Sequence, residues 1–145
     1  MSDTPNILYL CTGNSCRSQI AEGWTRLHGK GLVEVQSAGI EAHGKNPRAI
    51  AIMKEAGIDI SGQESTIVTD EMLQRADVVV TVCGHADEQC PVLPPGVKKI
   101  HWPLVDPAKA TGTEKEIMSQ FRTTSDEVEV RVRNLLAGLN LEDDF

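Results

Sequence analysis

The chain has 145 residues, of which 40% are apolar and 24% charged. That suits one folded domain burying roughly two-thirds of its unfolded surface, and excludes a disordered chain. A formal net charge of −7 argues against nucleic acid as a partner, because backbone phosphates call for a basic face. A single loop can still focus a positive field on a small anion. No stretch approaches the roughly 20 apolar residues of a membrane span, and Met1 to Asn6 has no basic region followed by an apolar core. The expectation is a cytoplasmic protein without membrane attachment, in which thiols stay reduced. Four cysteines then point to catalytic, redox or metal chemistry rather than structural disulfides. No exposed apolar helix face demands an interface, so a monomer is expected.

In chain order, Ile7-Leu8-Tyr9-Leu10 predicts a strand ending at Cys11. A helix follows from about Cys16 to Leu27, with Ile20, Ala21, Trp24 and Leu27 at helical spacing. Leu32, Val33 and Val35 suggest a second strand, ending before Ser37-Ala38-Gly39. Asn46 as cap and Pro47 at the first helical position open the next helix, with Ile50, Met53 and Ala56 as its buried face and Gly57 as its end. A short helix follows Thr69. The β-branched run Ala76 to Val82 reads as a strand covered on both faces, and Val97 to Trp102 as a fourth strand. Thr113 and Glu116 form a capping box. The valine alternation after Val128 suits a strand, yet Val128, Val132, Leu135, Leu136 and Leu139 also share one helix face, and the length of the run favours helix. The order predicts a single-domain α/β fold spanning 1–145: a four-stranded parallel sheet with right-handed crossovers and helices on both faces. Sites in such sheets lie beyond the carboxyl ends of the strands, where Cys11, Cys83 and Asp106 all fall.

The segment Cys11 to Ser18 carries the strongest chemistry. It spells C-x5-R-S between a strand and a helix. A loop of that length wraps amide donors (Thr12, Gly13, Asn14, Ser15, Cys16) around a tetrahedral oxyanion, and Arg17 returns to clamp it bidentately. The same field is expected to favour the thiolate of Cys11. There is no G-x-x-x-x-G-K-[ST] and no G-x-G-x-x-G, so nucleotide-loop readings are unsupported.

The stretch Cys11 to Trp24 resembles the low-molecular-weight tyrosine phosphatase fold, and more closely its thioredoxin-coupled arsenate reductase branch. The likeness continues through Ser37-Ala38-Gly39-Ile40-Glu41, His43-Gly44, Asn46-Pro47, Val79 to Cys83, Cys90-Pro91, His101-Trp102 and Asp106-Pro107. Beyond position 107 it is looser, with a longer insertion around Ala108 to Glu116.

The resemblance implies the following roles. Cys11 attacks the arsenic of arsenate. Arg17 and the loop amides hold the oxygens, Ser18 donates to the thiolate, and Asp106 protonates the leaving oxygen. Cys83 then attacks Cys11 and releases arsenite, Cys90 attacks Cys83, and thioredoxin reduces the final disulfide. No bound cofactor is implied. Glutaredoxin with glutathione stays open as the reductant. If residues between Cys83 and Cys90 are helical, seven steps span about 10 Å, more than the ~7 Å a disulfide tolerates, so they must unwind on oxidation, with Gly84 as a hinge.

A phosphatase acting on aryl esters is the alternative enzyme. It shares the first step but needs aromatic residues about the pocket, and the one tyrosine lies in the first strand. Residual phosphatase activity is compatible with both readings. A thiol sensor or metal module would leave Arg17 and Asp106 idle. Cys83, His85, Cys90 and His101 do not follow a known zinc spacing, so no metal is expected. Some family members bind potassium through positions that Asn14, Glu22 and Ser37 occupy here. The link Gln63-Glu64-Ser65-Thr66 lacks the accompanying histidine and aspartate, so the expected role is a hydrogen-bond network holding the loop. Cys16, Trp24 and Trp102 read as packing residues, and His28 and His43 as structural or surface residues.

Overall fold

A computed structural model describes residues 4–84 and 93–143. The elements are β1 (Asn6–Cys11), α1 (Arg17–His28), β2 (Glu34–Gly39), α2 (Pro47–Glu55), α3 (Asp70–Arg75), β3 (Val78–Thr81), β4 (Lys98–His101), a 3₁₀ turn (Pro107–Lys109) and α4 (Glu114–Asp143). The four strands are parallel in the order β2-β1-β3-β4. β1 is central because its residues from Ile7 onward are all buried, and β3 beside it is buried throughout, as its β-branched run requires. β4 closes the sheet with Lys98, Lys99 and His101 exposed, an edge guarded by charge.

The chain steps from β1 to β2 and then back past β1 to β3. Right-handed crossovers therefore put α1 on one face and the α3 connection on the other. The reversal opens a crevice at the carboxyl ends of β1 and β3. α1 packs against α2 and α4, while α3 packs on β1.

Second-strand bounds differ from the sequence expectation. Pairing runs to Cys11↔Gly39, so Ser37 to Gly39 belong to the strand, while Leu32 is left outside it and exposed. The ladder with β1, not local hydrophobicity, sets the register. In α2 the buried face is Ala49, Ile52 and Met53, with Ala56 exposed. Asn46 caps it by accepting the Arg48 N–H at 2.8 Å. α4 is one helix, as expected, and its capping box is reciprocal: Glu116 N donates to Thr113 Oγ1 at 3.1 Å and Thr113 N to Glu116 Oε1 at 3.2 Å. Phe121, Thr124, Ser125, Val128, Val132 and Leu136 form its buried stripe. Trp24 packs there and donates its indole N–H to Ser125 Oγ at 3.0 Å, and the Tyr9 hydroxyl pairs with Thr25 Oγ1 at 2.7 Å. Both satisfy a polar atom that the core would otherwise strand.

Candidate active site

The loop after β1 turns its carbonyl groups away from the crevice. Cys11 O accepts from Ile40 N (3.0 Å), Thr12 O from Glu41 N (2.8 Å), Gly13 O from His43 N (2.9 Å) and Ser15 O from Asn46 N (3.0 Å). Asn14 O accepts from Gln19 Nε2 at 3.1 Å. In a trans peptide the next N–H points opposite to the carbonyl. The amides of Thr12, Gly13, Asn14, Ser15 and Cys16 are thereby turned inward, a concave set of donors of the kind that can receive an anion, oriented by the segment after β2. Close approach is essential to it. A Cβ on Gly39 would lie 2.2 Å from Glu41 O and 2.8 Å from Asn14 N. Asn14 takes a left-handed φ of 50°, tolerable for asparagine.

Behind the loop the polar side chains satisfy one another. Asn14 Nδ2 donates to Ser18 Oγ (2.9 Å) and Ser37 Oγ (3.0 Å), and its Oδ1 accepts from Thr66 N (2.8 Å). Ser37 Oγ donates to Glu22 Oε1 at 2.5 Å, and Glu22 Oε2 takes two bonds from Arg26, at 2.8 Å and 2.6 Å. The Arg26 guanidinium neutralises the one buried carboxylate that an alkali ion would need, and the amide oxygen is taken. These residues do not fit a potassium ion. They fit the hydrogen-bond network expected for Asn14, Glu22 and Ser37.

Arg17 begins α1 and is 9% exposed. Nη1 donates to Leu104 O at 3.0 Å and more weakly to Val82 O at 3.4 Å, and Nη2 lies 3.5 Å from Asp106 Oδ2. Nε is buried and finds no hydrogen-bond partner among the described residues. A buried charged donor left unpaired is costly. An acceptor from outside the chain would satisfy it. Asp106 Oδ1 accepts the Ala108 N–H at 3.0 Å as the cap of the 3₁₀ turn, which leaves Oδ2 for Arg17 and the crevice.

Cys11, Thr12, Gly13, Ser15, Cys16, Arg17 and Asp106 line one cavity of about 210 Å³. Asn14 and Ser18 stand behind it, fully buried. Cys83 follows β3, and its thiol lies 3.1 Å from Thr12 Oγ1, beside the Cys11 thiol. Both are reduced. Ser18 Oγ accepts the Asn14 side-chain N–H at 2.9 Å, and the Cys83 thiol and the Thr12 amide stand against the Cys11 thiol. Cys90 and His85 lie outside the described residues.

The expected thiolate needs correction. The Cys83 thiol against it and burial both push the Cys11 thiol up, and outweigh the opposing pull of Arg17 and the Thr12 amide. The sequence displays the arginine but not the second thiol seated on the first. Burial, with the Asp106 carboxylate adding to it, raises Cys16 from 9.0 to about 11, which suits its reading as a packing residue.

Two residues of the cavity wall, His43 and Lys109, were not legible as site residues. His43 was expected to be structural or surface, and Lys109 carried no motif. The available signal was topological: β2 neighbours β1, so the segment after β2 must pass beside the cysteine loop.

The model of the family described as low molecular weight phosphotyrosine protein phosphatase matches residues 6–144. An arsenate reductase of Bacillus licheniformis is 54% identical over 127 residues, covering 88% of this chain and 91% of the relative. Among solved structures, an arsenate reductase in the phosphate binding state superposes with a TM-score of 0.78 at 36% identity, covering 94% of this chain and 99% of that one. A thioredoxin-dependent arsenate reductase of Corynebacterium glutamicum gives a TM-score of 0.80 at 27% identity, covering 97% of this chain and 64% of that one. A sheet order, an inward-facing amide loop and a family match over nearly the whole chain agree: this protein belongs to the low molecular weight phosphotyrosine protein phosphatase family.

Proposed function

We propose that this chain reduces arsenate to arsenite with a three-cysteine relay regenerated by thioredoxin. The observation that carries the choice is the Cys83 thiol resting against Cys11 at the cradle. Hydrolysis needs one nucleophilic thiol, whereas reduction needs a second within reach. Relatives that share about half of the residues and are named arsenate reductase support the same reading.

The Cys11 thiolate attacks arsenic, and an arsenate oxygen protonated from Asp106 leaves as water. The loop amides with Arg17 Nε and Nη2 hold the remaining oxygens. Cys83, as thiolate, then attacks Cys11 Sγ. An S–S bond forms, the S–As bond breaks, and its electron pair stays on arsenic, which departs as arsenite. Cys90 attacks Cys83, Cys11 leaves as thiolate, and the thioredoxin dithiol reduces the Cys83–Cys90 disulfide. Arsenic gains two electrons and the dithiol loses two. The Cys83 thiol also tunes the first step, since a proton held between Cys11 and Cys83 must leave before attack. The enzyme is read as a cytoplasmic monomer; among the described residues no helix is long and apolar enough to cross a membrane.

The test is arsenate-dependent NADPH oxidation coupled through thioredoxin and thioredoxin reductase. Cys11→Ser, Cys83→Ser and Cys90→Ser are each expected to abolish turnover. Aryl phosphate hydrolysis is expected to survive Cys83→Ser and to vanish in Cys11→Ser. Normal arsenate turnover by Cys83→Ser would sink the relay and leave the phosphatase reading.

A further inference from the structure

His43 sits at the mouth of the cavity and is held there from three sides. Its N–H donates to Gly13 O at 2.9 Å. Its Nε2 lies 2.9 Å from Glu41 Oε1. Its ring lies over the bare face of Gly13, so closely that a Cβ on Gly13 would come within 2.3 Å of Nδ1. A carboxylate only accepts, so the proton of the neutral ring stands on Nε2 and Nδ1 is an acceptor. Lys109, which also lines the cavity, brings an ammonium. Asp106, between them in role, is the proton donor of the proposed reaction. Among the described residues the lining contains no Phe, Tyr or Trp.

We propose that His43, assisted by Lys109, is the specificity determinant of this pocket, favouring a free tetrahedral oxyanion over its aryl ester. The inference rests on the reading of the pocket as an arsenate site and names how that site selects. Near neutral pH the doubly charged free oxyanion keeps one hydroxyl, whereas an ester dianion carries a carbon on that oxygen. Nδ1 of His43 accepts the hydroxyl hydrogen, which the ester cannot supply. Lys109 adds charge attraction where an aryl group needs an apolar wall. The His43 side chain is half exposed, so with the ester bound Nδ1 is paired by water, and the preference amounts to exchanging that water for a direct substrate bond.

The experiment compares two substrates on the full chain. kcat/KM is measured for arsenate in the thioredoxin-coupled assay and for p-nitrophenyl phosphate by hydrolysis. In His43→Phe, which keeps the bulk but removes the acceptor, the arsenate value is expected to fall about tenfold while the aryl ester value holds or rises. His43→Asn, whose amide oxygen can stand near the position of Nδ1, is expected to restore most of the wild-type ratio. Lys109→Leu is expected to shift the ratio in the same direction as His43→Phe, and less so in high salt. Equal losses for both substrates in His43→Phe, or an unchanged ratio, would overturn the proposal. Calorimetric binding of orthophosphate and of phenyl phosphate to Cys11→Ser protein, with and without His43→Phe, reads the same discrimination without turnover. A wild-type chain inert toward arsenate that still loses its preference for orthophosphate in His43→Phe would strike the reductase reading and leave this one standing. An unchanged preference overturns it.

Discussion

Arg17 holds the loop of Asp106 at two points: Nη1 donates to Leu104 O at 3.0 Å, and Nη2 stands 3.5 Å from Asp106 Oδ2. The guanidinium that would clamp the anion therefore also positions the carboxyl that would serve as acid. A lysine reaches one of these points but cannot present a planar fork to both and to an oxyanion. Arg17→Lys is expected to lower kcat/KM about a hundredfold to a thousandfold and to destabilise the fold by about 1–3 kcal/mol, because carbonyls near β3 and Asp106 lose their donor. Steady-state kinetics and urea melts check the two together. Near-normal kcat/KM would mean that the fork is not used.

Gly39 is where the strand β2 touches the loop it supports. Gly39→Ala forces a Cβ against the Glu41 and Thr12 carbonyls and the Asn14 amide, all backbone. None is a flexible side chain that can swing aside. A loss of about 2–4 kcal/mol is expected, with activity falling more than folding because the cradle itself is displaced. A thermal melt and the coupled assay measure both. An unperturbed melt would contradict the packing.

The Asn14, Ser37, Glu22 and Arg26 chain predicts indifference to potassium. Exchanging sodium for potassium at constant ionic strength is expected to change neither melting temperature nor rate. Arg26→Met, which removes both donors to Glu22 Oε2 and leaves the buried carboxylate only the Ser37 bond at Oε1, is expected to cost about 1–3 kcal/mol. A specific potassium response in the wild-type protein would show that the network opens to admit the ion.

Alkaline pH offers a check on the buried thiols. Cys16 is raised from 9.0 to about 11, chiefly by burial and then by Asp106. Between those values the unfolded chain has given up a proton that the native chain keeps. Stability therefore falls as pH rises through that window and is unaffected by this group below it, a loss of about 2 kcal/mol. The raised Cys11 acts in the same direction. Denaturant titrations at about pH 8 and about pH 10.5 should show the loss, and Cys16→Ala should show less of it. A variant with the full wild-type slope would remove Cys16 as a source.

Much of the site was legible because its parts are local. Cys11, the loop and Arg17 sit within one strand-loop-helix unit, so their convergence follows from backbone geometry. Helix caps at Asn46 and Thr113 were equally readable, being contacts over two or three residues. The end of β2 was not. Its register is set by pairing with β1 across the helix between them, and Leu32 and Val33 look more like a strand than Ser37 to Gly39 do.

Composition and pattern by themselves determined an α/β chain with a parallel sheet and a C-x5-R loop at the end of its first strand. Tertiary structure decided what that loop is. Outward carbonyls bonded to residues 40–46 turn its amides inward, and the Cys83 thiol, brought from the end of β3, reverses the expected shift of Cys11. The cause is the same in each case. A neighbour distant in sequence supplies the hydrogen bond that orients or protonates the group, and only the strand order β2-β1-β3 places that neighbour on either side of Cys11.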